Sequence, residues 1–154
     1  MCGRYTLTIN INTIIRIFSC LPADFDIQPR YNIAPTQIVP VVINSTGLNQ
    51  LKLMRWGLVP FWAKDISMGN RMINTHIETI TKKPAFRNAI RRRRCIVPAG
   101  GYYEWQQQEK GKQPMRIVTK FREVFGFAGI WETRVNNLLR SKHPGLGRGR
   151  LADF

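Results

Sequence analysis

The chain has 154 residues, one domain's worth, and no apolar run of about 18 or more that would make a transmembrane helix. Its 24 Lys and Arg against 9 Asp and Glu leave a net charge of +15 and a pI near 10.8. That is the footprint of a protein that meets a polyanion, nucleic acid before an anionic membrane surface, because no long basic amphipathic helix stands out.

The start shows no signal-peptide plan, which predicts an intracellular, cytoplasmic protein. Cys2, Cys20 and Cys95 lack metal-ligand spacing, which predicts free thiols, no metal site and no disulfide framework. Cys2 has the richest chemistry. Once Met1 is removed, it carries a free α-amine beside a thiol. Such a 1,2-aminothiol condenses with an aldehyde to an imine, and addition of the thiol then closes a thiazolidine ring. The same thiol can instead attack a carbonyl. With pKa values of about 8.5 and about 7.7–8.0, thiol and amine are both partly reactive at neutral pH, and Arg4 favours the thiolate. Taken alone, a cysteine near an N-terminus more often has no role.

Gly3 to Thr8 alternates as a short strand does, with Tyr5 and Leu7 on one face. Asn10 or Asn12 caps a helix whose apolar face is Ile11, Ile14, Ile15 and Phe18. Arg30 to Thr36 reads as irregular, since Pro35 biases Ala34 away from helix. Ile38 to Ile43 and Leu48 to Trp56 form a hairpin about the turn Asn44-Ser45-Thr46-Gly47. Arg55 to Lys64 mixes aromatic and cationic residues in a loop bent by Gly57 and Pro60. Its rings can stack on unpaired bases while Arg55 or Lys64 meets phosphate, although such aromatics more often belong to a core.

Pro84 starts a short helix over Ala85 to Ile90. From Lys82 to Arg94 there are seven basic residues, Arg87 among them, and no acidic one. This is either a phosphate-binding surface or a solvated face. Cys95 to Pro98 is a buried strand, Ala99-Gly100-Gly101 a turn, and Tyr102 to Trp105 the start of another strand. Glu104, between aromatics, has the setting of a carboxyl with a raised pKa suited to general acid/base work, against the commoner reading of a solvent-facing strand Glu. A polar hairpin turn about Gly111 and strands over Met115 to Lys120 and Val124 to Ile130 follow. His143 to Arg150 reads as poorly ordered.

Four ordered motifs carry a resemblance: Met1-Cys2-Gly3-Arg4-Tyr5, Arg30 to Thr36, Arg55 to Pro60, and Arg94 to Trp105. Together they closely resemble the SRAP family over about residues 1 to 132. The resemblance implies an α+β fold, mainly antiparallel with a barrel-like core, short helices and a basic DNA groove. It implies a monomer that binds single-stranded DNA, needs no cofactor, and captures the aldehyde of an abasic site through a thiazolidine at Cys2. Asn74 corresponds to the residue that holds the sugar, and Glu104 to the acid that assists imine formation and ring closure. Arg4 lies on the strand that enters the groove. Pro60, Phe61 and Trp62 fall where the family stacks on bases or wedges them apart. Arg55, Lys64 and Arg87 complete the expected DNA contacts.

The chain departs from the family pattern in two places. Where the family has Asn-Ala-Arg-x-Glu-Thr, this chain has Asn74-Thr75-His76-Ile77-Glu78-Thr79, so His76, mostly neutral, replaces a DNA-contacting Arg. The family's His-x-Arg-Met-Pro motif has no counterpart, and His143 does not stand in for it. The expected division is an SRAP-like domain over 1–132, incomplete at its C-terminal side, and a basic, poorly ordered tail over 133–154. Two other functions remain open: a thiol autopeptidase that removes Met1, and an inactive DNA-binding remnant.

Overall fold

A computed structural model describes residues 3–121, 124–135 and 150–153. The chain forms β1 (Tyr5–Leu7), α1 (Ile11–Ile17), β2 (Arg30–Ile33), β3 (Ile38–Ser45) and β4 (Leu48–Arg55). A 3-10 helix (Ile66–Arg71), α2 (Ile77–Ile80) and α3 (Arg87–Arg92) follow. Then come β5 (Arg94–Ala99), β6 (Gly101–Gln108), β7 (Gly111–Ile117), β8 (Phe125–Ile130), β9 (Glu132–Val135) and β10 (Arg150–Asp153). The architecture is α+β, with the strands in two sheets, ordered β2-β1-β6-β7 and β8-β5-β3-β4-β10-β9. Pairing is antiparallel except between β4 and β10. Among the described residues no helix is long and apolar enough to cross a membrane.

Local sequence explains most of these elements. The Asn10 side chain accepts a hydrogen bond from Thr13 N at 2.9 Å, so Asn10 rather than Asn12 caps α1. That helix has 7 residues and is too short to persist alone; burial of Ile11 and Ile14 holds it on the sheet. The β3–β4 hairpin turns through Thr46 (φ 55°) and Gly47 (φ 85°). Positive φ at both turn residues follows the twist of the flanking strands, and glycine adopts it without strain.

The structure corrects four details of the sequence reading. Arg30–Ile33 is a strand, because Ile33 pairs with Tyr5 and is fully buried, while the constraint from Pro35 reaches only Ala34. The helix expected at Ala85–Ile90 begins and ends two residues later, as α3. Between β5 and β6 only Gly100 lies outside a strand, and its amide donates to Thr6 O at 2.8 Å as the chain passes from one sheet to the other. The expected barrel-like core is a pair of facing sheets that do not close; β2 and β7 edge one, β8 and β9 the other. β9 starts at Glu132, where the expected domain boundary fell, and β10 comes from the basic tail. The rest of the tail expected to be poorly ordered, 136–149 and 154, lies outside the described residues.

Aromatic rings join the sheets. Tyr5 meets Trp56 at 5.5 Å and Phe127 at 6.1 Å between ring centroids, and Tyr102 meets Phe127 at 5.8 Å and Phe125 at 6.2 Å, all edge to face. Beneath them lie Ile14, Ile33, Val39, Val41 and Met54. A second cluster, Leu58, Ile80, Phe86, Ala89 and Ile130, packs α2 and α3 against β8.

Candidate functional site

The aromatic seam opens into a cavity of about 340 Å³ whose lining includes Tyr5, Trp56, Ile73, Asn74, Phe86 and Phe127. The segment that carries Asn74 is pinned from beneath. Leu58 N donates to Met72 O at 3.1 Å, and Trp56 Nε1 donates to Ile73 O at 3.1 Å. Glu104 is half-buried on β6. Successive strand residues alternate faces, so Glu104 shares the face of Tyr102, which packs on Phe125 and Phe127 across the seam. Tyr103 points the other way and its hydroxyl donates to Tyr31 O at 3.1 Å. Tyr103 N donates to Arg4 O at 2.9 Å, so the residue before Glu104 is bonded to the segment that leads into β1. Arg4 donates from its guanidinium to Asn32 Oδ1 at 3.1 Å. Cys2 itself lies outside the described residues.

The aromatic loop divides in two. Trp56, Leu58, Val59 and Pro60 are buried, while Phe61 is 63% and Trp62 49% exposed. Pro60 is therefore packed in the core, and the faces available to a ligand are those of Phe61 and Trp62. Arg55 is used inside the loop: its guanidinium donates to Gly57 O at 3.3 Å and to Asn70 Oδ1 at 2.7 Å. Lys64, His76 and Arg87 are exposed, and His76 sits at the N-terminal end of α2.

The basic run is likewise divided. Arg93 turns inward and pairs with the buried Glu132, Nη2 to Oε2 at 2.7 Å, whereas Arg91, Arg92 and Arg94 are exposed. A second opening of about 330 Å³ lies beside the first and brings Trp62, Arg71, Asn74 and Lys83 together. Sequence reasoning missed Arg71 altogether, since it stands in no motif, and took Lys83 only as part of the run.

Burial separates the thiols. It pushes the Cys95 thiol from an ordinary 9.0 up to about 12, and raises Cys20 as well. A raised thiol pKa means less thiolate, so neither is a good nucleophile at neutral pH. With an aromatic disulfide reagent at pH 7.5, Cys95 is expected to stay unmodified in the folded protein and to react only on unfolding. Modification of Cys95 as fast as that of an unfolded control would show that the β5–β8 pairing does not shield it. Among the described residues no group of three or more His, Cys, Asp or Glu converges as a metal site would.

These features define a two-sheet α+β protein with an apolar seam, an amide on the wall of its cavity, a half-buried carboxyl on β6 and a strongly basic surface. Residues 1–143 match the family model described as SOS response associated peptidase (SRAP), and the chain belongs to that family. Abasic site processing protein YoaM of Bacillus subtilis is 46% identical over 136 residues, 86% of this chain and 60% of YoaM. Abasic site processing protein YobE of the same organism is 42% identical over 146 residues, 90% of this chain and 66% of YobE. The chain thus spans about three-fifths to two-thirds of the length of these curated relatives. A crystal structure of a protein from Bacteroides thetaiotaomicron superposes with a TM-score of 0.80 over 99% of this chain and 66% of its own, at 22% identity, a likeness of fold.

Proposed function

We propose that the chain binds single-stranded DNA and captures abasic sites covalently through Cys2, acting as a cytoplasmic monomer in the response to DNA damage. The observation that carries this reading is the convergence on one seam: Tyr5, three residues beyond Cys2, and Asn74 line the same cavity, and Glu104 shares the face of Tyr102 on the neighbouring strand. The names of the relatives YoaM and YobE support it.

The chemistry balances without a cofactor. The α-amine of mature Cys2 adds to the C1 aldehyde of the ring-opened sugar and water leaves, giving an imine. The thiolate then adds to the imine carbon, and the nitrogen takes up the thiol's proton as the thiazolidine closes. Glu104 is the group that delivers a proton to the departing hydroxyl and takes one back. Asn74 holds a sugar hydroxyl by its amide. The basic surface supplies phosphate contacts, which makes binding fall with salt.

The test mixes the protein with an oligonucleotide that carries one abasic site, followed by a denaturing gel and intact mass. A heat-stable adduct lacking Met1 is expected, absent in Cys2→Ala although that variant still binds DNA. Glu104→Gln should slow adduct formation about a hundredfold, the usual reach of a single proton-transfer group. An adduct that survives Cys2→Ala would sink the thiazolidine. Binding without an adduct in the wild type would favour the inactive remnant. Retention of Met1 by Cys2→Ser alone would favour the autopeptidase.

A further inference from the structure

β1 has little ladder of its own to hold it. It has 3 residues, its register against β2 is irregular between Tyr5 and Leu7, and its pairing with β6 runs over Tyr5–Tyr102 and Thr6–Gly101. Side chains add a second tie across the sheet. Thr6 is fully buried; its hydroxyl donates to Gly101 O at 3.3 Å and accepts from Arg116 Nη2 at 3.1 Å. The same Nη2 donates to Gly100 O at 3.4 Å, and the Gly100 amide donates to Thr6 O at 2.8 Å. Arg116 stands on β7, with β6 between it and β1. It can cross because Gly101 has no side chain: a Cβ there would stand 3.1 Å from Arg116 Nε and 2.9 Å from Val118 Cγ1, closer than ordinary contact. Every residue of β7 is exposed, yet this guanidinium is turned inward onto the strand next but one.

We propose that Arg116 is a positioning residue for the covalent step: through Thr6 it fixes β1, and with it the segment that carries Cys2, against β6 and Glu104. The role rests on the reading of Cys2 as the group that captures abasic sites, and adds to it a residue that touches neither the DNA nor the reacting atoms. Thiazolidine formation makes two bonds to one carbon, from the amine and then from the thiol, while a carboxyl on another strand handles the proton. Cys2 is four positions before Thr6, and Glu104 three beyond Gly101, so the Thr6–Gly101 pair is the joint between them. A hydroxyl that donates to Gly101 O and accepts from Arg116 is held in one orientation, with its donor and an acceptor site both used. A displacement of about 1 Å at such a joint can slow a reaction about a hundredfold without changing the groups that react.

The test measures single-turnover adduct formation on a strand with one abasic site, over a range of DNA concentrations and on protein whose intact mass lacks Met1. Arg116→Met keeps most of the side chain's length and removes its donors; Thr6→Val keeps the shape and removes the hydroxyl. Each should lower the rate at saturating DNA about tenfold to a hundredfold and leave the half-saturating concentration at the wild-type value. The double variant should be no slower than the slower single, because both changes break one link. Asn10→Ala is the control for stability: it uncaps α1 and should keep the wild-type rate. Binding to an unreactive abasic analogue should keep the wild-type slope of log K against log salt in every variant, whereas a lost phosphate contact takes about 0.7 from it.

A wild-type rate in Arg116→Met or Thr6→Val, or slowing that multiplies in the double variant, would overturn the positioning role. So would equal slowing by Asn10→Ala, which reduces the effect to lost stability. A lower salt slope at an unchanged saturating rate would also overturn it, by making Arg116 a phosphate contact. If the wild type forms adducts and the variants match it, Arg116's role alone falls. If the wild type forms no adduct with abasic strands, the covalent reading falls and takes that role with it.

Discussion

Replacement of Arg93 by alanine is expected to lower the unfolding free energy by about 3–5 kcal/mol, the usual effect of leaving a buried charge without its partner. Glu132 is 4% exposed at the start of β9, and its carboxylate accepts from Arg93 Nη2 at 2.7 Å and from Thr133 N at 3.0 Å. The main chain runs alongside, with Trp131 N donating to Arg93 O at 2.9 Å. Arg93 thus clips the end of α3 to the β8–β9 junction by backbone and side chain together. Without the guanidinium, the carboxylate must stay charged in a poorly solvated place, take up a proton, or open the junction to water. A domain of this kind has only about 5–15 kcal/mol in total, so the loss is a large share. Urea denaturation of Arg93→Ala beside Arg92→Ala measures it. Arg92 is exposed, and its removal should stay within about 0.5 kcal/mol of wild type. Equal midpoints for the two variants would show that the pair does not hold the fold.

Gly57→Ala is expected to cost about 2–5 kcal/mol, through the backbone and through a collision. Gly57 has φ +125°, outside the range that residues with a side chain readily adopt. A Cβ there would stand 2.5 Å from Gly69 O, and a Cβ on Gly69 would stand 2.5 Å from Gly57 O. Two backbones therefore touch directly, with the Arg55 guanidinium beside them. Gly69→Ala lacks the φ penalty and isolates the collision, about 1–3 kcal/mol. Thermal melts of the two variants should rank Gly57→Ala below Gly69→Ala and both below wild type. A Gly57→Ala protein that melts with the wild type would mean the loop and the 3-10 helix do not approach so closely. The same contact fixes the stem of the loop that bears Phe61 and Trp62.

Much of this fold was legible because its signals are local. Asn10 before an Ile11, Ile14, Ile15 face marks α1, and Thr46-Gly47 between two apolar runs marks the β3–β4 hairpin. What escaped was set by partners distant in sequence. Arg30–Ile33 carries no strand pattern of its own and becomes a strand because Tyr5 offers it an edge. The passage at Gly100 looked like a turn because two glycines punctuate it, yet the neighbouring strands lie in different sheets. At the candidate site, Cys2, Asn74 and Glu104 were singled out through motif resemblance, since each alone has a commoner bland explanation. Spacing could not reveal that Arg93 faces inward while its neighbours face water. Nor could it reveal that Arg71 and Lys83 meet across a cleft, because that depends on how the 3-10 helix packs.

The pairing of β1 with β6 joins residues 95 positions apart, Thr6 with Gly101. Ribosomes add about 5–20 residues per second, so the first strand emerges roughly 5–20 s before its neighbour exists. During that interval the start of the chain has β2 within reach and not β6 with Glu104. Long-range pairings also close slowly once both strands are present. The first strand is thus made early and paired late, with β6 at its side only after Gln108 has been synthesised.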